Sequence, residues 1–361
     1  MKDELLYLIG LNLVPGIGPK LAKKLLAYCG GAKAVFEESP KLLQKIPQIG
    51  AGLTTEITTQ KVLQKAEKEL SFAEKNGIDV LSYQCAEFPN RLHHCEDAPT
   101  ILFKKGKSSL NAVKMISVVG TRKATPYGKK WCKQIVEQLT AHQTTIVSGL
   151  AYGIDTMAHK TALTVELPTI AVLGHGLDRV YPAANRKLSE QIQEKGALLT
   201  EFLTETNPDR ENFVKRNRIV AGITDATIVV ESAKKGGALI TANIANSYDR
   251  DVFAVPGTLD CKQSQGCNHL IKTNQAALLT DVADIEYLMG WSHLGEVKPM
   301  LFSLTPEEEE LISLFNKKEA IHVDQLISQS AYSAGRVAKI LLSLEMQNAI
   351  QSLPGKRYQL R

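Results

Sequence analysis

The sequence predicts an α/β protein whose main part is a doubly wound, mostly parallel sheet, with a small helical region before it and a small helical unit after it. Three observations carry this. From Lys114 to Val255, β-branched apolar runs without polar alternation trade places with helical patterns, as in strands covered on both faces by helices. Before about residue 75, short helical patterns are broken by Gly/Pro turns. Near the end, Thr305-Pro306 followed by Glu307–Glu310 makes a strong helix start: a cap, Pro at the first position and acids in the first turn.

In chain order, helices are expected at Glu4–Leu11, Pro19–Tyr28, Ala32–Glu38 and Pro40–Lys45, then a long one over Thr54–Asn76. Residues 80–110 read as a polar connector with a turn at Phe88-Pro89-Asn90-Arg91-Leu92. Strands follow at Ile116–Val119, Thr145–Val147, Thr169–Leu173, Ala197–Leu199, Ala226–Val230 and Val252–Val255. Helices between them are expected at Tyr127–Thr140, Asp155–Leu163, Asn185–Glu194, Arg216–Ile223 and Leu239–Tyr248. After Gly290-Trp291 a link leads to helices at Pro306–Asn316, Val323–Ser328 and Ser333–Met346. Ile350–Leu353, the turn Pro354-Gly355-Lys356 and Arg357–Leu360 close the chain as a hairpin, giving a winged helix-turn-helix outline. Three domains are expected: 1–78, 79–292 and 300–361.

With 361 residues, 44% hydrophobic and 22% charged, the chain has material for real cores. No apolar run reaches the ~18 residues of a membrane span. Met1-Lys2-Asp3-Glu4 carries acids where a secretory leader is basic, so a cytoplasmic protein is expected. Cys29, Cys85, Cys95, Cys132, Cys261 and Cys267 form no C-x-x-C pair, which predicts free thiols and no zinc module. The net charge of +5 is too mild to announce a nucleic-acid binder, so such a role must rest on clustering.

Near the N-terminus, Val14-Pro15-Gly16-Ile17-Gly18-Pro19-Lys20 joins two helical stretches and resembles a helix-hairpin-helix turn, which grips DNA phosphates through backbone amides. Ile46-Pro47-Gln48-Ile49-Gly50 looks like a second, degraded copy, with Gln48 where a glycine would sit. In the α/β part, glycines gather where strands end: Gly120-Thr121-Arg122-Lys123, Ser148-Gly149, Gly174-His175-Gly176, and Lys234-Lys235-Gly236-Gly237. Such turns place amides and helix N-termini at the C-terminal edge of the sheet, and the nearby cations predict an anionic ligand. There is no G-x-G-x-x-G opening the first helix and no G-x-x-x-x-G-K-[ST], so neither a dinucleotide nor a nucleoside triphosphate is supported.

The densest basic cluster is Arg210-Glu211-Asn212-Phe213-Val214-Lys215-Arg216-Asn217-Arg218, opening a helix. Cations at a helix N-terminus oppose the macrodipole, so helix stability does not call for them. Phosphate contact, with a base stacked on Phe213, uses every part of the cluster.

These motifs together resemble the DNA-processing protein A family (DprA, also called Smf). The resemblance rests on Gly120-Thr121-Arg122, Ser148-Gly149 through Gly153-Ile154-Asp155 and His159, and Gly174 through Tyr181-Pro182 and Asn185. It rests also on Phe213-x2-Arg216-Asn217-Arg218-Ile219, Glu231-x5-Gly237-Ala238-Leu239 and Val252–Gly257. It implies an extended Rossmann-like domain that binds single-stranded DNA in a basic groove. It further implies a homodimer, for which the 261–279 segment is the expected surface, and loading of the RecA recombinase onto incoming DNA in natural transformation. No cofactor, metal or catalytic residue is implied. By motif, Arg122 holds a phosphate, Phe213 stacks a base and Arg210 is the basic residue before it. Relatives often carry lysine after Tyr181-Pro182, where this chain has Ala183, leaving Arg186 to supply that contact. The competing reading is an enzyme, because the core also resembles the lysine-decarboxylase-like phosphoribohydrolases with P-G-G-x-G-T-x-x-E. The corresponding stretch, Lys235–Asn243, ends without the catalytic glutamate.

Asp155 and His159, at i and i+4, are expected to form a buried hydrogen-bonded pair that supports a turn. His93-His94 fits no zinc spacing and is assigned a structural or surface role. The four glutamates are expected to be a solvated first turn. The terminal helices should bury Leu311, Leu314, Leu326, Ile340 and Leu344, and with seven Lys/Arg against seven Asp/Glu after residue 300 they should face protein rather than duplex DNA.

Overall fold

The computed structural model of the protein describes residues 2–291, 304–315, 321–347, 349–353 and 356–360. The chain forms two compact units, residues 1–293 and 294–361. The expected link after Trp291, the Pro354-Gly355 turn and Asn316 lie outside the described residues.

The first unit opens with helices α1 (Lys2–Leu13), α2 (Pro19–Cys29), α3 (Ala32–Glu37), α4 (Pro40–Leu43), α5 (Ala51–Thr58) and α6 (Leu63–Lys75). The long helix expected over 54–76 is two helices. Gln60 takes a left-handed φ of 52°, which no α-helix continues, and its side-chain amide donates to the Phe36 carbonyl at 3.2 Å. The two helix-hairpin-helix-like turns repeat in backbone geometry. Gly18 and Gly50 cap α2 and α5 with φ/ψ of −91°/175° and −93°/176°, and Gln48 adopts the positive φ (76°) that Gly16 takes (86°). Lys20, on the first turn, is paired with Glu96 at 2.6 Å.

The chain then runs through β1 (Asp79–Ser82), β2 (Ile101–Gly106), β3 (Met115–Val119), α7 (Pro126–Gln138), β4 (Thr145–Ser148), α8 (Ile154–Thr164), β5 (Thr169–Val172), α9 (Arg186–Lys195), β6 (Ala197–Thr200), α10 (Arg210–Gly222), β7 (Ala226–Val229), α11 (Gly237–Ser247), β8 (Asp251–Ala254), α12 (Gln265–Lys272), β9 (Ala277–Leu278) and α13 (Val282–Met289). Among the described residues these strands make one sheet of order β1-β2-β6-β5-β4-β3-β7-β8-β9. All neighbours from β6 to β9 are parallel; β1 and β2 are antiparallel additions. β1 and β2 fall in the stretch read as a connector, because β2 pairs with β6 about a hundred residues on and shows no alternation. Successive side chains of β3 part to opposite faces, Met115 and Val119 toward α10, α11 and α12, Ile116 and Val118 toward α7, α8 and α13. The order reverses between β3 and β7, which opens a crevice at the strands' C-terminal ends.

The helical region is seated on the β1–β2 addition, where Ile101 and Phe103 join the core of Leu8, Leu25, Phe36 and Ile57. The connector buries Phe88 and Leu92 completely and is fastened to the main sheet by the Arg91–Asp225 ion pair. Asp225, after α10, accepts from Arg91 Nε at 2.6 Å and Nη2 at 2.9 Å, and from the Met115 amide at 2.8 Å.

The second unit holds α14 (Pro306–Ser313), β10 (Ile321–His322), α15 (Val323–Gln329), α16 (Ala334–Met346), β11 (Ile350–Leu353) and β12 (Arg357–Leu360) in a winged-helix arrangement, with strands ordered β10-β12-β11. Leu311, Leu326, Ile340 and Leu344 are buried and Leu314 partly so. Three of the four glutamates are engaged rather than merely solvated, while Glu309 is exposed. Thr305 and Glu308 form a capping box, and buried Glu308 also accepts from Ser343 Oγ at 2.7 Å and Gln347 Nε2 at 3.2 Å. Glu307 pairs with Arg336 at 2.6 Å and Glu310 accepts from Tyr332 at 2.6 Å. Glu307 and Glu308 hold α14 against α16, and Glu310 ties it to the segment just before α16.

Removing the Asp225 carboxylate strands a mostly buried guanidinium and an amide. Asp225→Ala should therefore lower unfolding stability by about 2–3 kcal/mol in urea, with the slope unchanged. A loss below about 0.5 kcal/mol would show that the connector is held by Phe88 and Leu92 alone.

Candidate nucleic-acid interface

The crevice at the strand-order reversal is a groove of about 540 Å³. Its walls come from the turns after β3 (Gly120, Thr121, Arg122), β4 (Gly149, Ala151) and β7 (Ser232, Lys235, Gly236, Gly237), and from one side of α10. Arg210, Phe213, Val214, Asn217 and Val220 line it, spaced along one helical stripe. α10 begins at Arg210, six residues before the expected start, so the whole cluster is helical. The N-termini of α10 and α11 open at the groove, and their unpaired amides favour an anion there.

Close backbone approach requires the glycines. A Cβ on Gly149 would overlap the Arg216 guanidinium, one on Gly174 would press on Phe213, and one on Gly120 would enter Ile154. Gly236 caps α11 and leaves Gly237 open to solvent on its Cβ side.

The floor is a buried ionic arrangement. Arg216 is 5% exposed and donates to the Val172 carbonyl. Asp155, 6% exposed, accepts from the amides of Gly149 (3.1 Å) and Ala151 (3.3 Å). Burial pulls Arg216 down to about 10 and pushes Asp155 up, each opposed by the other's charge. His159 does not bond to Asp155, contrary to the expected pair; its Nδ1 meets Thr169 Oγ1 at 2.7 Å. Because Thr169 donates its own proton to the Ile146 carbonyl (2.8 Å), Nδ1 carries the hydrogen and Nε2 faces the interior bare. Asn185 is buried too, latching the β4 turn through Leu150 O and Thr156 Oγ1, both at 2.9 Å.

At the mouth three segments converge. The Arg122 guanidinium lies over the Phe213 ring, 5.2 Å from its centre, and the Tyr181 ring lies 5.7 Å from it at 39°. Tyr181 is steadied by buried His175, whose Nε2 accepts from the Tyr181 amide at 3.3 Å while Nδ1 meets Gly176 O at 2.8 Å. Tyr181 and Asp155 line the groove as well, and the Tyr-Pro pair after the glycine turn is the sequence signal for the first.

Of the residues expected at the site, Gly120, Thr121, Arg122, Gly149, Arg210, Phe213, Asn217, Lys235, Gly236 and Gly237 meet at the groove, with Arg216 beneath it. Arg218 is turned away to the Asp97 carbonyl and the Glu201 carboxylate. Gly176 packs against the Leu203–Thr204 backbone. Lys123, Arg186, Lys215 and Lys234 are exposed outside the groove walls. Asn243, at the position of the phosphoribohydrolase glutamate, is exposed on α11 and is not part of the wall. Among the described residues no cluster suited to a metal ion occurs, and no helix is long and apolar enough to cross a membrane.

Fold and site together define a Rossmann-like protein with a glycine-lined, cationic groove and an aromatic mouth at its switch point, carried with a winged helix. Residues 79–290 match the family described as DNA recombination-mediator protein A, and residues 298–356 match the DprA winged helix domain. The chain belongs to this DprA/Smf family. Protein Smf of Synechocystis sp. is 32% identical over 99% of each chain. The X-ray structure of DNA processing protein A from Streptococcus pneumoniae is 32% identical with a TM-score of 0.69, covering 78% of this chain and 97% of that one. DNA processing protein A from Helicobacter pylori, described for its single-stranded DNA binding mode, is 28% identical with a TM-score of 0.53, covering 59% of this chain and 95% of that one.

Burial holds His159 neutral down to about pH 3, with the Arg216 charge adding to the effect, against an ordinary value of 6.5. The unfolded chain therefore takes up a proton first as the pH falls. This contribution is complete above about pH 6.5 and is lost toward pH 3, at about 1.4 kcal/mol per pH unit. His159→Gln should show a shallower stability loss than the parent between those limits; parallel curves would refute the neutral buried ring.

Proposed function

We propose that the chain is a non-enzymatic recombination mediator that binds single-stranded DNA in this groove. The observation that carries the reading is the Phe213 ring, set between Arg122 and Tyr181 at the mouth of a glycine-lined, cationic crevice. An aromatic face can stack only on an unpaired base, while the amides and Arg122, Arg210 and Lys235 serve phosphates. The binding mode described for the Helicobacter pylori relative supports the same ligand.

Within this reading, the protein protects incoming strands in the cytoplasm and loads RecA recombinase onto them during natural transformation and homologous recombination. It works as a homodimer through the 261–279 segment, where the sheet ends on the two-residue strand β9 with Leu278 47% exposed. The chain is divided into a helix-hairpin-helix-like domain (1–78), the strand-binding domain (79–292) and a winged helix (300–361). Because Arg336, a main cation of α16, is tied to Glu307, the winged helix presents its surface to protein.

Phe213→Ala should cost ~1–3 kcal/mol on single strands and much less on duplex. Equal losses on both would make Phe213 a packing residue. Arg122→Ala should weaken single-strand binding about tenfold and reduce the salt slope by ~0.7. A chain ending at residue 293 should keep single-strand affinity within about twofold; a tenfold drop would place the winged helix in the DNA site.

A further inference from the structure

On the far side of Arg122 from the groove lies a second open cavity of about 470 Å³. Its cations are Arg122 and Lys123 from the turn after β3, Lys129 from the first turn of α7, and Lys160 from α8; Tyr152, from the turn before α8, stands among them 47% exposed. No carboxylate lines it. Among the described residues none of these four cations is within ion-pair distance of an acid.

Stability explains none of this. Four like charges around one cavity repel, and Lys129 sits where the α7 macrodipole disfavours a cation. The arrangement is also built rather than incidental. Gly153 has a φ of 81°, and a Cβ there would overlap the Thr121 carbonyl and the Arg122 backbone, so only glycine lets α8 dock against the β3 turn and bring Lys160 to the cavity that Lys123 lines. Arg122 lines both this cavity and the groove, so the two lie on either side of one cationic side chain.

We propose that this cavity is a second nucleic-acid subsite, which carries the sugar-phosphate backbone of the same single strand out of the groove past Lys123, Lys129 and Lys160, with Tyr152 as a face for one further base. The proposal rests on the reading of the groove as the single-strand site. It is tested with the full-length protein and oligothymidylates of about 6 and about 20 nucleotides, the first filling the groove alone. In the Lys129→Gln/Lys160→Gln double variant, affinity for the long strand should fall about five- to tenfold. Its salt slope should drop by ~1.4, for two lost phosphate contacts, while short-strand affinity stays within about twofold. Tyr152→Ala should likewise weaken only the long strand. Unchanged long-strand affinity and slope in the double variant would overturn the subsite. An equal loss on both lengths would overturn it too, since the lysines would then act only through the general field. Failure of the groove reading has a different signature: Phe213→Ala binding both lengths as well as the parent, which removes the start of the path and the proposal with it.

Discussion

The Arg216 guanidinium under Gly149 is the contact on which the binding edge depends. It is a cation taken out of water, held by the Val172 carbonyl and faced by Asp155 across the glycine backbone. Asp155 in turn holds the Gly149 and Ala151 amides, so the turn after β4 cannot move without uncovering a buried charge. Asn185 fastens the same turn from α9's side. From that turn α8 starts, and through Gly153 it sets the position of the β3 turn that carries Arg122. One buried ionic arrangement thus fixes two of the three glycine turns.

The aromatic mouth depends on this frame. Arg122 and Tyr181 come from separate turns and Phe213 from the start of α10, and the three meet only because β3 and β5 end, and α10 begins, at the same edge. In the free protein the guanidinium rests on the ring face, a contact worth about 0.5–1 kcal/mol at an exposed site. A base arriving at that ring and a phosphate arriving at Arg122 would exchange this contact for two stronger ones. On the proposed function, strand binding would therefore be a rearrangement of groups already in place, not the assembly of a site from distant parts.

Charge in this chain divides between structure and surface in a way that counting cannot show. Arg216 and Arg218 look like ligands for phosphate, yet each is committed to a carbonyl or carboxylate within the fold, as Arg91 is in the connector. Glu308 looks solvated and is a buried junction between α14 and α16. Among the described residues, Arg122, Arg210 and Lys235 at the groove and Lys123, Lys129 and Lys160 at the cavity beside it have no acid within ion-pair distance.

The class of fold was legible from sequence because buried parallel strands leave unalternated apolar runs, and the glycine turns marked the edge where the groove opens because backbone approach leaves glycine no substitute. Helical spacing alone separates Arg210, Phe213 and Asn217 from Arg218 within the basic cluster. The antiparallel strands β1 and β2, the break at Gln60 and the partner of His159 were not legible, since each depends on a group far away in the chain: β6, the Phe36 carbonyl, Thr169. Sequence determined which residues are charged, aromatic or glycine, and the order in which they occur. Only the tertiary structure decided which charges face water, because desolvation is set by what packs over a side chain, and that packing comes from elements dozens of residues apart.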